Sequence, residues 1–98
     1  MTRTLLKENG MRAVLRADGA YRIAPVSAFS AITAMWSNES VAPAGLLAFT
    51  VDSDAFSGTN TINLGAGERG IQCSAALAYV DVDVTGLPSG ATVLLFLR

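Results

Sequence analysis

From Met11 to Ala17 apolar and charged residues alternate, with Met11, Ala13, Leu15 and Ala17 on one side of the chain and Arg12, Val14 and Arg16 on the other. A period of two puts each set on one face of a β-strand. The segment is bounded by Asn9-Gly10 and Asp18-Gly19. These are residue pairs that two-residue hairpins favour, because both central positions of a type I′ turn take a positive φ. The pattern predicts an N-terminal three-stranded meander from Arg3 to Ile23. Its register follows from the two turns. Leu6 faces Ala13, Leu5 faces Val14, Lys7 faces Arg12 and Arg3 faces Arg16 across the first turn; Arg16 faces Tyr21 and Val14 faces Ile23 across the second. One face then collects Leu6, Met11, Ala13 and Leu15. The other centres on Leu5, Val14 and Ile23, ringed by Arg3, Lys7, Arg12 and Arg16.

Beyond Pro25 the pattern is open to two readings. Val26, Phe29, Thr33 and Trp36 fit a helical face, while interleaved β-branched, aromatic and serine residues favour a strand over Ser30–Trp36. Ser37–Gly45 reads as a loop, Leu46–Val51 as a strand, Asp52–Asn60 as a polar turn region and Thr61–Leu64 as a short strand. Ile71–Ser74 extends into Ala75–Thr85, where Val80, Val82 and Val84 point one way and Tyr79, Asp81, Asp83 and Thr85 the other. Leu87-Pro88-Ser89-Gly90 is a turn. The last strand, Ala91–Leu97, is apolar on both faces and so reads as a central or interface strand, with Leu95 and Leu97 among its candidate contacts. Short strands at regular spacing predict one all-β domain over residues 1–98, a small antiparallel β-sandwich or barrel.

Charged residues make up only 15% of the chain and hydrophobic residues 51%, against roughly 25% charged in ordinary soluble domains. In so small a domain this leaves apolar surface over, which points to burial against other subunits. The net charge of −1 is unevenly spread. Residues 1–22 set five bases against two acids, a balance of +3, and residues 23–98 set two bases against six acids, a balance of −4. A basic end and an acidic remainder suit head-to-tail contact between copies, or docking on an acidic scaffold. The alternative is two separately solvated faces, with arginine stems lying across the apolar patch. No apolar run reaches the roughly 20 residues of a membrane helix, and Arg3, Lys7 and Glu8 interrupt the start where a signal peptide would be apolar. A cytoplasmic or otherwise assembled product is expected, without membrane partners.

The chain contains no histidine and one cysteine, Cys73. The commonest general base, the histidine triads and the usual zinc sites are thereby missing. Cys73 reads as a small buried hydrophobe. Gly65-Ala66-Gly67-Glu68-Arg69-Gly70 has the spacing of a dinucleotide loop, but too little chain follows to build the rest of that fold. It is expected to be a glycine loop between strands. Asp52-Ser53-Asp54 begins like a calcium loop, yet Phe56 and Ser57 stand where oxygen and glycine are needed. Asp81 and Asp83 are the nearest thing to an acid pair. They are expected to be solvated or matched to cations across an interface, where they would complement the arginine-rimmed face. Asn38-Glu39-Ser40 is a sequon in form only. The bases are too few, and too poorly interleaved with aromatics, for nucleic acid. No catalytic residue, cofactor or metal is expected.

Brevity, low charge, the meander Arg3–Ile23 and the ending Val82-Asp83-Val84-Thr85-Gly86-Leu87-Pro88-Ser89-Gly90-Ala91-Thr92-Val93-Leu94-Leu95-Phe96 together resemble the small virion proteins of tailed bacteriophages, particularly capsid decoration or cement proteins. The resemblance implies a non-enzymatic β-rich protein on the capsid surface. Such a protein binds at capsomer junctions of a major capsid protein, commonly as a trimer, and reinforces the shell. The other reading open from the residues is a small soluble β-sandwich module or adaptor that recognises a protein or a sugar. On the first reading the contact residues are Arg3, Leu5, Lys7, Arg12, Val14, Arg16, Tyr21 and Ile23, with Asp81, Asp83, Leu95 and Leu97.

Overall fold

The structure, a computed structural model, describes residues 3–7, 10–36, 43–50 and 60–98; at Lys7, Ser74 and Ala75 it describes the backbone alone. The described residues form nine strands: β1 (Thr4–Lys7), β2 (Arg12–Leu15), β3 (Gly19–Ala24), β4 (Phe29–Trp36), β5 (Leu46–Thr50), β6 (Thr61–Asn63), β7 (Gly70–Leu77), β8 (Val80–Thr85) and β9 (Val93–Leu97). A single 3-10 turn, Leu64–Ala66, follows β6. One sheet has five strands in the order β1-β3-β8-β5-β6, the other four in the order β2-β9-β4-β7. The antiparallel pairs are nested: β2 with β9, β3 with β8, β4 with β7, β5 with β6. A long hairpin is thus rolled over, and the rolling adds the ladders β4–β9 and β5–β8. This nested order is the jelly-roll arrangement of an all-β sandwich.

Alternation decides which side chains meet between the layers. Ala13 and Leu15 of β2, Ile32, Ala34 and Trp36 of β4, and Val93, Leu95 and Leu97 of β9 point inward from the four-stranded sheet. Ile23, Leu47, Phe49, Ile62, Val80, Val82 and Val84 point inward from the five-stranded one. Among the described residues no polar or charged residue is buried. Each fully buried Leu, Ile or Phe contributes about 1.5–3 kcal/mol through removal from water. Cys73 belongs to this core as a free thiol, and burial pushes its pKa up.

The three-stranded meander does not form. β1 pairs with β3 in parallel, Leu6 beside Ile23, and β2 lies in the other sheet against β9. The local turn signal at Asp18-Gly19 is overridden: Asp18 has no positive φ, and Gly19 is already a strand residue opposite Val84. The Asp18 carboxylate instead accepts hydrogen bonds from the backbone N–H of Gly86 (3.0 Å) and Leu87 (2.8 Å), tying the corner between the layers to the β8–β9 turn. The physical reason is burial. A meander sets Ile23 on the face opposite to Ala13 and Leu15, so one set must meet water. Splitting the strands between two layers turns all three inward. The first turn dipeptide includes Asn9, outside the described residues, as are residues 37–42 and 51–59, with the sequon and the Asp52/Asp54 segment.

Elsewhere the strand over Ser30–Trp36 is present as β4, and not as a helix. The continuous strand expected through Ala75–Thr85 is broken: β7 ends at Leu77, and β8 begins at Val80 in the other sheet. Leu64, expected at the end of a strand, opens the 3-10 turn, because Asn63 caps it through its side-chain oxygen and Gly67 closes it at φ 76.

Candidate functional site

The outer face of the five-stranded sheet carries an ion-pair cluster. Arg22 and Asp81 are directly paired positions of β3 and β8. Arg22 Nε and Nη2 donate to Asp81 Oδ1 and Oδ2 at 2.7 and 3.1 Å, a two-point contact. Arg3, just before β1, brings Nε to 3.4 Å from Asp81 and donates from Nη1 to Asp83 at 2.9 Å. The same Nη1 lies 3.4 Å from the carbonyl oxygens of Tyr21 and Val82. Arg22 also sits over the Tyr79 ring at 4.6 Å. Hydrogen bonding by Arg22 holds the Asp81 carboxyl below its usual range; both arginine charges add to this and partial burial opposes it. Asp81 and Asp83, expected to be solvated or matched to cations across an interface, are instead paired with arginines of their own chain. The cluster fastens β1 to the sheet edge, where Leu5 stays 57% exposed.

The outer face of the four-stranded sheet is built differently. Register places Val14, Leu94 and Met35 in one row across β2, β9 and β4. Arg12, Phe96 and Thr33 form the next row. Arg98 follows opposite Ala31, whose backbone it bonds in both directions. Val14 and Met35 are exposed, and Leu94 and Phe96 half-buried. Arg16, exposed, follows just past the end of β2, two residues beyond Val14. An apolar centre is thus rimmed by Arg12, Arg16 and Arg98. None of the three has a side-chain partner among the described residues.

β2 is also the edge of this sheet. The Leu97 N–H bonds to Met11 O, so in β2 the odd-numbered residues turn their backbone groups to β9. Those of Arg12 and Val14 point off the edge.

The sequence-predicted contact residues are therefore divided. Arg12 and Val14 share a face of β2, as expected, and Arg16 lies just past the end of that strand. Arg3 lies in the other sheet's cluster, Leu5 beside it on β1, and Lys7 ends that strand. Ile23 is fully buried, and Tyr21 is half-buried with its hydroxyl donating to Ala17 O at 2.8 Å. Leu95 and Leu97 are core residues; their outward neighbours are Leu94 and Phe96. Both faces of β9 are apolar, so hydrophobicity alone does not select between them. The parity of Arg98 with Phe96 and Leu94 is the signal that does.

The glycine loop connects β6 to β7 and is closed on its own groups. Asn63 Oδ1 accepts from Ala66 N, and Glu68 Oε1 accepts from Asn63 N at 2.7 Å. At its far end Arg69 lies over the Trp36 ring at 4.2 Å. No group of His, Cys, Asp and Glu side chains able to hold a metal occurs among the described residues, and no described helix is long and apolar enough to cross a membrane. Comparison with protein families, with curated proteins and with solved structures finds no significant match to this chain.

Proposed function

We propose that this protein is a non-enzymatic structural subunit, which associates with itself, a trimer being favoured, and seats on a larger shell as a capsid decoration or cement protein does. The observation that carries the reading is the row Val14–Leu94–Met35 with Phe96, an apolar rank on the outside of a sandwich that already has a full core. Contiguous outward apolar side chains mark surfaces that another protein covers. The low charge content supports the same reading. So does the architecture, by analogy of fold alone: jelly rolls serve in viral capsid domains, and also in lectins. On this reading the protein belongs on the virion surface.

Light-scattering mass in solution tests the proposal. A mass of three or more chains at micromolar concentration is the expected result. A monodisperse monomer at every concentration overturns self-association and leaves the small binding module, recognising a protein or a sugar, as the reading to pursue.

A further inference from the structure

We infer that the free edge of β2 takes an extended segment of the larger partner protein as an added antiparallel strand, one that sets a carboxylate opposite Arg12 and an apolar side chain opposite Val14. The inference rests on the seating proposed above and names the element that is seated.

Four strands end the two sheets, and they are not equally open. Short or bulged edges resist pairing with another chain. β6 has three residues, and β7 loses its register against β4 between Phe29 and Ala31. β1 is held in parallel, and Arg3 just before it is spent on Asp81 and Asp83. β2 keeps a regular antiparallel register with β9 over its whole length. The backbone N–H and C=O of Arg12 and Val14 point away from β9, and among the described residues nothing meets them. A strand laid there satisfies these groups, and its alternate side chains set specificity. Beside this edge the apolar surface is incompletely covered. Val14 and Val26 are exposed, Met11 is only partly buried, and the Val26 N–H bonds to Gly10 O.

Charge decides what kind of strand fits. A second copy's β2 is a poor match. Paired antiparallel, it places Arg12 opposite or diagonal to the second copy's Arg12 when the two-fold passes through Arg12 or Ala13. Through Val14, it places Arg12 opposite the second copy's Arg16. Like charges so placed destabilise a sheet. Arg12 has no side-chain partner among the described residues. The described side-chain carboxylates are already engaged: Asp18 with Gly86 and Leu87, Glu68 with Asn63, Asp81 and Asp83 with Arg3 and Arg22. An acid on the incoming strand supplies the missing partner at the directly opposite position, where opposite charges stabilise a cross-strand pair. Residues opposite Ala13 and Leu15 turn inward, where apolar side chains extend the core.

The full chain, labelled with nitrogen-15, is titrated with a capped synthetic peptide, Thr-Glu-Ile-Val-Ile-Glu-Thr, whose pattern reads the same in either direction. Amide hydrogen exchange at Arg12 and Val14 is expected to slow by about tenfold or more at saturation, while Ala13 and Leu15, already bonded to β9, change little. The same peptide with lysine in place of glutamate is expected to bind about tenfold more weakly. N-methylation of the central valine removes the donor that faces Val14 and is expected to abolish the protection. Binding of the acidic peptide that leaves Arg12 and Val14 unprotected, with shifts at Leu94 and Met35 instead, overturns the edge as the site. Equal binding of the acidic and lysine peptides overturns the acidic partner. No binding of the acidic peptide overturns the inference outright, while the self-associating subunit is judged separately, by its mass in solution.

Discussion

Arg22 and Asp81 stand opposite each other across β3 and β8 and are joined at two points, Nε to Oδ1 at 2.7 Å and Nη2 to Oδ2 at 3.1 Å. The pair is half-exposed on the arginine side and mostly covered on the aspartate side. Its value is accordingly that of a well-aligned surface pair, about 1 kcal/mol or less.

The pH dependence follows from the direction of the shift. Asp81 is more acidic folded than unfolded. Its contribution is complete above the unfolded carboxylate value, about pH 4, and is lost as pH falls through the lower folded value. Asp81→Asn is expected to cost up to about 1 kcal/mol at pH 7, with the gap to wild type closing near pH ~2. Urea unfolding at the two pH values measures this. An equal gap at both counts against the pair.

Asp18→Ala removes the carboxylate that accepts from Gly86 N and Leu87 N. Two charge-assisted bonds at an exposed turn predict a loss of about 1–2 kcal/mol. For a domain of this size that lowers the melting temperature by about 5–15 °C. Asp18→Asn, which keeps one acceptor oxygen, is expected to lose less. Equal melting of all three proteins would show that the contact contributes nothing.

Leu94 and Leu95 are adjacent in β9 and face opposite ways. Leu95→Ala is expected to cost about 2–5 kcal/mol, as a cavity in a closed core does. Leu94→Ala should cost about 1 kcal/mol or less in the fold. Denaturation midpoints that reverse this order would invert the face assignment of the whole strand.

Much of the layer pattern was legible because burial follows alternation. Val80, Val82 and Val84 face inward and Asp81 and Asp83 outward, as their period of two requires. Arg12 and Val14 likewise share an outer face. Strand partners were not legible: β2 pairs with β9, some eighty positions along the chain, and no local feature encodes that distance. The Asp18-Gly19 dipeptide carried a local preference for a hairpin, and the burial of Ile23 in the opposite layer outweighed it. The apolar centre with a cationic rim survives, but with Leu94, Phe96, Met35 and Arg98 in place of Leu5, Ile23, Arg3 and Lys7. Backbone nuclear Overhauser contacts are expected between Ala13 and Leu95. Contacts between Ala13 and Leu6 would restore the meander.

The central claim, that this outer face is the one covered on association, is tested most directly by methyl NMR of the wild-type chain across a dilution series. Signals of Val14, Leu94 and Met35 are predicted to shift with concentration, while those of the core residues Ile23 and Val82 stay fixed. Concentration-dependent shifts confined to Leu5 and Leu46, the exposed leucines of the five-stranded sheet, would contradict it.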